Sequence, residues 1–433
     1  MSKIKNKIKG IKSHPSYNKL LYWGKSISIT ALSQIVVQGL AFLCGILVIR
    51  LLPLEEYALY TLANTMLGSM TMLADVGVSN GVMAQGGKVW QNREKLGAVL
   101  MTGLYLRRRL AFWSLIVITP ILFYLLMHNG ASWFTAVLIV LSIIPAFYAS
   151  LSDNLLEIVP KLHQDIYPLQ KNQISVSIGR LVLSALLVFI FPWTFVAILA
   201  SGIPRVIGNI KLRKIAYNFA DESQKPDSII SKDLMTIVKR VLPSSVYFTF
   251  SGQISIWLIS LFGTTMALAQ VGALGRISLI FSLFGAIFGF LIIPRLARLP
   301  NEKHILLKKY LQTILFVLVF YTGLAIIISL LSTEILWVLG DKYSGLEYEL
   351  TLSIIGFCVS TFAGVSFSFY STRGWIIHPI IVILVDLSAV VSGVFIFPIS
   401  NLKGVLEFNI YVASILCLMN FLYSLIKIKS IKI

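Results

Sequence analysis

Long apolar segments that recur along the whole chain decide what this sequence can fold into. Each is about 20 residues long, the length that a helix needs to cross the hydrocarbon core of a bilayer. Because backbone groups find no water there, an apolar segment of this length crosses as a helix. We therefore predict an all-α polytopic membrane protein with about twelve transmembrane helices. The predicted spans are residues 26–49, 57–80, 110–127, 132–151, 172–191, 193–210, 241–262, 266–293, 311–331, 350–371, 376–397 and 405–426.

Composition excludes the soluble classes. Of 433 residues, 57% are hydrophobic and 13% are charged, whereas about a quarter of a soluble domain is charged. The net charge of +19 would suggest nucleic acid as the partner of a soluble protein. In a membrane chain the cytoplasmic loops account for such a charge, so we predict no nucleic-acid partner. The three cysteines form no metal-ligand pattern, so we also predict no metal site.

Basic residues test the span count. If the N-terminus is cytoplasmic and the spans alternate, 32 of the 37 Lys and Arg residues fall in cytoplasmic segments. The outer segments hold Arg50, Lys342 and Lys403, and two further arginines, Arg180 and Arg276, fall within spans. Because basic residues are enriched in cytoplasmic loops, this asymmetry supports twelve spans with both termini cytoplasmic.

A polar connection after the sixth span divides the chain into two halves. We predict a basic cytoplasmic segment at residues 1–25, a six-helix bundle at 26–215, a cytoplasmic linker at 216–232 and a second six-helix bundle at 233–433. Because each half has an even number of spans, the halves are expected to be parallel repeats.

Polar side chains follow one face of some spans. In the first span they recur at every fourth position, which places them on one helix face, and the seventh span carries a similar set. One interpretation is packing between helices, and the other is a shared polar cavity. The residues predicted to line such a cavity are Thr30, Gln34, Gln38, Asn64, Ser251, Gln253 and Ser255.

Charged side chains within spans are costly and mark candidate functional sites. Arg276 lies about ten residues from the outer end of the eighth span, or roughly 15 Å deep, and its alternative is a structural pair with a carboxylate such as Asp386. Arg180 and Arg50 are further candidates, for which snorkelling to the interface is the alternative. Asp75 and Asp386 are candidates for ion or proton coupling.

Several local patterns support a family resemblance. They are LPLEEYALY at residues 52–60, DVGV at 75–78, VGALGR at 271–276 and the Pro-Arg pair at 294–295. Together with the chain length, the twelve spans and the six-plus-six division, they resemble the Wzx-like (O-antigen) flippases of lipid-linked oligosaccharides. These belong to the multidrug/oligosaccharidyl-lipid/polysaccharide (MOP) exporter superfamily. Ala58 stands where such proteins often have glycine.

The resemblance implies two six-helix bundles forming a V-shaped central cavity. It also implies a non-enzymatic flippase in the bacterial cytoplasmic (inner) membrane. Such a flippase moves polyprenyl-pyrophosphate-linked oligosaccharide repeat units to the outer leaflet by alternating access. The units are used for the synthesis of O-antigen, lipopolysaccharide or another surface polysaccharide. Arg276, with Arg180 or Arg50, is expected to pair with the pyrophosphate. We expect no cofactor, energy from H⁺, Na⁺ or the membrane potential, and a polysaccharide polymerase and chain-length regulator as candidate partners.

Two alternatives stay open. A multidrug exporter of the same superfamily would call for acidic cavity residues, whereas the deepest charge here is an arginine. A membrane-embedded glycan polymerase or acyltransferase would favour a long outer loop, and the longest predicted outer loop, at 332–349, is short.

Overall fold

The computed structural model describes residues 15–279, 281, 284, 285, 300, 302–373, 375 and 377–431, with side chains from residue 32 onward except at 244. Every regular element in this part of the chain is helical. The N-terminal half contains α1 (Pro15–Leu51), α2 (Leu54–Asp75), α3 (Val78–Val89), α4 (Arg93–His128), α5 (Trp133–Leu156), α6 (Ile158–Leu162), α7 (Ile166–Ile190) and α8 (Thr194–Tyr217). The C-terminal half contains α9 (Ser228–Ser251), α10 (Ile254–Phe262), α11 (Thr265–Gly275), α12 (Lys303–Leu330), α13 (Ser332–Leu339), α14 (Glu347–Ser371), α15 (Pro379–Ile396) and α16 (Leu402–Lys429).

The helices confirm the prediction of an all-α polytopic membrane protein. Within the described residues, nine helices are long and apolar enough to cross a membrane, and the bent pair α9–α10 brings the number to ten. The second predicted span is the less apolar helix α2. The eighth begins as α11, and its predicted remainder includes residues 286–293, which lie outside the described residues.

Local sequence explains where several helices end. Pro192 lies between α7 and α8, so the fifth and sixth predicted spans are separate helices, as expected because proline cannot donate to a helical hydrogen bond. The second predicted span ends earlier than expected, at Asp75. There Val76 and Gly77 both have positive φ angles, of 33° and 83°, and the chain turns into α3. The seventh is bent by 48° between Ser251 and Ile254.

Each half forms its own helical bundle, and the two bundles meet along α2 and α11. In the N-terminal bundle α8 packs against α5 and α7, and in the C-terminal bundle α14 packs against α16. At the meeting of the halves, a Cβ atom on Gly272 of α11 would lie only 2.3 Å from the hydroxyl oxygen of Thr61 on α2. Glycine is therefore required for this close approach.

Candidate functional site

Arg276 lies where the two halves meet, directly after α11. Its guanidinium carbon is 6.0 Å from the ring centroid of Tyr60 on α2, and the side chain also lies beside the hydroxyl of Tyr57. On α1, Gly45 leaves room for it, because a Cβ atom there would be 3.3 Å from Cδ of Arg276. A basic side chain of the C-terminal half is thus held against aromatic rings and a glycine of the N-terminal half.

No carboxylate neutralises Arg276. All 18 acidic residues of the sequence fall within the described part of the chain, and none of them forms a salt bridge with this arginine. The proposed alternative, a structural pair with Asp386, is therefore wrong. A half-buried guanidinium without a counterion favours an anionic ligand, because its planar fork of donors matches phosphate and carboxylate oxygens.

Asp386 instead forms a polar site inside the C-terminal bundle. Its carboxylate is buried, and Oδ2 accepts hydrogen bonds from the hydroxyl groups of Tyr247, at 2.8 Å, and Ser251. Oδ1 has no hydrogen-bond partner among the described residues. The carboxylate borders a cavity of about 310 Å³, which Ser255 and Asn409 also line. A buried carboxylate with a free oxygen on a cavity can coordinate a small cation.

Arg180 borders a second cavity, of about 270 Å³, inside the N-terminal bundle. Its Nε is buried and has no hydrogen-bond partner in the described chain. Glu157 lines the same cavity, where it accepts hydrogen bonds from Lys161 at 2.7 Å and from Gln173 at 2.9 Å. Gln34, one of the predicted lining residues, joins the cluster through a 3.2 Å hydrogen bond to Gln173.

Arg50 bridges the halves at the end of the molecule that the charge distribution places outside. Its Nε and Nη2 donate to the carbonyl oxygens of Val338 and Trp337, at 2.8 and 2.6 Å. Lys342 donates in the opposite direction, to the carbonyl oxygen of Leu52 at 2.8 Å. We call these reciprocal hydrogen bonds of Arg50 and Lys342 the outer clamp.

A second contact closes the same end. Asn129, after α4, donates to both the carbonyl oxygen and the hydroxyl of Ser260 on α10, at 3.1 and 2.8 Å. Ser260 is fully buried in this contact. The bundle ends that the charge distribution places outside are therefore joined at two separate places.

Asp75 interacts with two side chains of its own half. It lies 3.5 Å from Arg107 of α4, and it accepts a 2.7 Å hydrogen bond from the hydroxyl of Ser79. Arg107 is 1% exposed and also donates to Ser79, at 3.2 Å. The sequence reasoning treated Arg107 as one of several cytoplasmic loop arginines, and so missed that this residue is a buried partner of Asp75.

The other predicted lining residues have varied surroundings. Asn64 donates to the carbonyl oxygen of Tyr60 within its own helix, and Gln253 precedes α10 at the bend. Ser255 is hydrogen-bonded to Asn409, which lines the Asp386 cavity, and Gln38 is half-buried on α1. The side chain of Thr30 lies outside the described residues. Only Ser251 and Ser255 are thus brought together in one cavity, and a shared lining stays a prediction.

Comparisons with known proteins show the fold. No protein-family model and no curated protein matches this chain. Among solved structures, the chain is similar to an inward-facing multidrug resistance MATE family transporter of the MOP superfamily, with a TM-score of 0.65 and 14% identity over 93% of this chain and 98% of that one. A MOP superfamily transporter from Pyrococcus furiosus has a TM-score of 0.58 and 16% identity over 94% and 97% of the two chains.

The chain is also similar to a solved structure in the outward-facing conformation, with a lower TM-score. An outward-facing structure of a multidrug resistance MATE family transporter gives a TM-score of 0.55, with 15% identity over 94% of this chain and 93% of that one. At these identities the comparisons establish a MATE-type fold of two helical bundles.

Proposed function

We propose that this chain is a multi-pass membrane transporter that flips a polyprenyl-pyrophosphate-linked oligosaccharide from the cytoplasmic to the outer leaflet. In this proposal it is not an enzyme. It acts in the bacterial cytoplasmic membrane with both termini cytoplasmic, and its two bundles alternate access to the substrate. The observation that carries the proposal is Arg276, a half-buried cation between the bundles without a carboxylate partner.

The charge of this residue argues for an anionic substrate. A pyrophosphate can accept paired hydrogen bonds from the guanidinium of Arg276, whereas a cationic drug would be repelled by it. Arg180, with its unpartnered Nε on the N-terminal cavity, is the second phosphate ligand of the proposal. Amide groups such as those of Gln34 and Gln173 supply hydrogen bonds for sugar hydroxyls.

Arg50 acts at a later step of the proposed cycle. Two of its donors are occupied by backbone carbonyls of the other half, so it becomes available to the pyrophosphate only when the outer clamp opens. An inside-negative potential favours the outward movement of an anion by about 2.3 kcal/mol per charge per 100 mV. Asp386 is the proposed site of a coupling proton or Na⁺, since Asp75 is paired with Arg107.

Reconstituted protein tests the role of Arg276. Proteoliposomes are loaded with the lipid-linked glycan, and its appearance on the opposite leaflet is followed with a membrane-impermeant lectin. We expect Arg276→Gln to slow flipping at least about tenfold, because one charge-assisted hydrogen bond corresponds to roughly that factor. The flipping rate of Arg276→Lys should lie between those of the wild type and Arg276→Gln, since lysine keeps the charge but lacks the planar set of guanidinium donors. Arg109→Gln, an exposed arginine on α4, is the matched control, and wild-type flipping by the Arg276→Gln protein would remove this residue from the mechanism.

Multidrug export is the second candidate. The buried Asp386 carboxylate, with one free oxygen on a largely apolar cavity, is a feature that a cationic drug could use. The fold is that of transporters described as multidrug resistance proteins, which also supports a transporter over a polymerase or acyltransferase. Efflux of a cationic dye that requires Asp386 and does not require Arg276 would favour this candidate over the flippase.

A further inference from the structure

Three arginines border one cavity that the proposed transport does not use. Arg107 and Arg108 lie on α4, and Arg213 lies on α8, around a cavity of about 260 Å³. Tyr148 and Ser152 of α5 complete its polar wall. Because the charge distribution places these helix ends on the cytoplasmic side, the cavity lies near the inner surface of the membrane.

The cavity has an excess of positive charge. None of its lining residues is acidic, and the nearby carboxylates already have partners. Asp75 interacts with Arg107 and Ser79, while Asp153 accepts from Arg205 at 3.2 Å and from Asn209 at 2.7 Å. The guanidinium groups that face the cavity are therefore only partly compensated.

Arg107 provides a buried donor that nothing in the described chain satisfies. The residue is 1% exposed, and its Nε and Nη2 make no hydrogen bond with a described residue, although Nη2 lies 3.5 Å from Asp75. Arg213 uses Nε to donate to Asn209 at 3.1 Å. Buried donors are normally satisfied, so an unsatisfied arginine lining a cationic cavity indicates an anionic ligand.

The surroundings indicate where that ligand comes from. Tyr148 is 45% exposed at the edge of the cavity, and Tyr105, one turn before Arg108 on α4, is 50% exposed. Exposed tyrosines are typical of the membrane–water interface, where the phosphates of lipid headgroups lie. Arginines beside exposed tyrosines are therefore the combination expected at the depth of the inner-leaflet headgroups.

We propose that Arg107, Arg108 and Arg213 form a binding site for a phosphate group, and that the headgroup phosphate of an anionic phospholipid in the cytoplasmic leaflet occupies it. Arg107 connects this site to the break between α2 and α3, because the same side chain holds Asp75 and Ser79 there. A bound phosphate therefore stabilises the packing of α4 against that break. The site is separate from Arg276 and does not depend on the transported substrate.

Thermal unfolding of the purified full-length protein in neutral detergent tests this site. The unfolding midpoint is measured against increasing phosphatidylglycerol, phosphatidylcholine or inorganic phosphate. The test variant is Arg108→Gln/Arg213→Gln, which leaves the Arg107–Asp75 pair intact. The matched control is Arg109→Gln/Lys214→Gln, which removes two neighbouring exposed charges that do not line the cavity. Single variants Arg213→Gln and Lys214→Gln replace the doubles if a double variant fails to fold.

We expect phosphatidylglycerol to raise the midpoint of the wild-type and control proteins, and phosphatidylcholine to have a much smaller effect. The test variant should need at least about tenfold more phosphatidylglycerol for the same rise, since charge-assisted hydrogen bonds to the phosphate are lost. Equal responses of the test and control variants would overturn the site, because general charge attraction would then explain the effect. A rise with inorganic phosphate alone, lost in the test variant, would confirm the phosphate site and overturn the lipid as its source.

Discussion

Replacing Arg50 with alanine is expected to open the outer end of the protein. The side chain donates two hydrogen bonds across the halves, to carbonyl oxygens at 2.8 and 2.6 Å, and its guanidinium carbon lies 5.1 Å from the ring centroid of Trp337. An exposed hydrogen bond contributes about 1 kcal/mol, and an exposed cation–π contact contributes about 0.5 kcal/mol. The substitution should therefore shift the equilibrium between outer-closed and outer-open states by about 2.5 kcal/mol, which is roughly seventyfold.

Cysteine labelling measures that shift. In a background without the three native cysteines, Ser260→Cys places a thiol at a fully buried position in the second outer contact. Asn129 can still donate to the backbone carbonyl of residue 260, so the probe keeps part of that contact. A membrane-impermeant maleimide reacts with this thiol only when the outer end opens, and the labelling rate reports the open population.

Two further variants decide the interpretation. Lys342→Ala removes one hydrogen bond of the outer clamp and should raise the labelling rate about fivefold, for a loss of about 1 kcal/mol. Lys403→Ala is the control, because the salt bridge of Lys403 with Glu407 and its cation–π contact with Tyr348 lie within its own half in the described part of the chain. Wild-type labelling in Arg50→Ala, or an equal rise in Lys403→Ala, would refute the role of the outer clamp.

Three other predictions follow from buried contacts. Asp75→Asn should lower the free energy of unfolding by about 3 kcal/mol, because the buried guanidinium of Arg107 loses its carboxylate partner. Arg107→Gln should cause a smaller further loss in that background than it causes alone. Gly272→Ala should lower the unfolding midpoint, because its Cβ would overlap Thr61 at a cost of about 1–3 kcal/mol. Thr61→Ala should partly restore it, and equal midpoints with and without Thr61→Ala would contradict this. Asp386→Asn should abolish the dependence of transport on an ion gradient, and an unchanged dependence in liposomes would exclude it as the coupling site.

The helical architecture could be predicted because bilayer thickness fixes the length of each span. The separation of the fifth and sixth spans also had a local signal, since Pro192 interrupts the helix. The bend between α9 and α10 was missed, although Gly252-Gln253 stands at the break. Apolar length alone does not distinguish a straight span from two shorter helices at 48°.

Side-chain partners could not be predicted, because they depend on how the helices pack. Asp75 and Arg107 are on different helices, and Arg107 belongs to a run of three arginines that the cytoplasmic charge excess already explained. Asp386 had a plausible partner by charge, yet the packing of α9 brings Tyr247 to it instead. Charge pattern identified the unusual residues, and only the three-dimensional arrangement assigned their neighbours.

The basic residues outside the predicted cytoplasmic segments divide into two groups by what they contact. The two that form the outer clamp, Arg50 and Lys342, donate to carbonyl oxygens of the opposite half, and Lys403 interacts with Glu407. These three have structural partners that explain an outer basic residue. Arg276 and Arg180 lie within predicted spans and form no salt bridge with any of the 18 acidic residues, all of which the structure describes. An intramembrane charge without a counterion is costly. An anionic substrate would therefore stabilise the protein most at these two arginines, and this is why we propose that they bind the pyrophosphate.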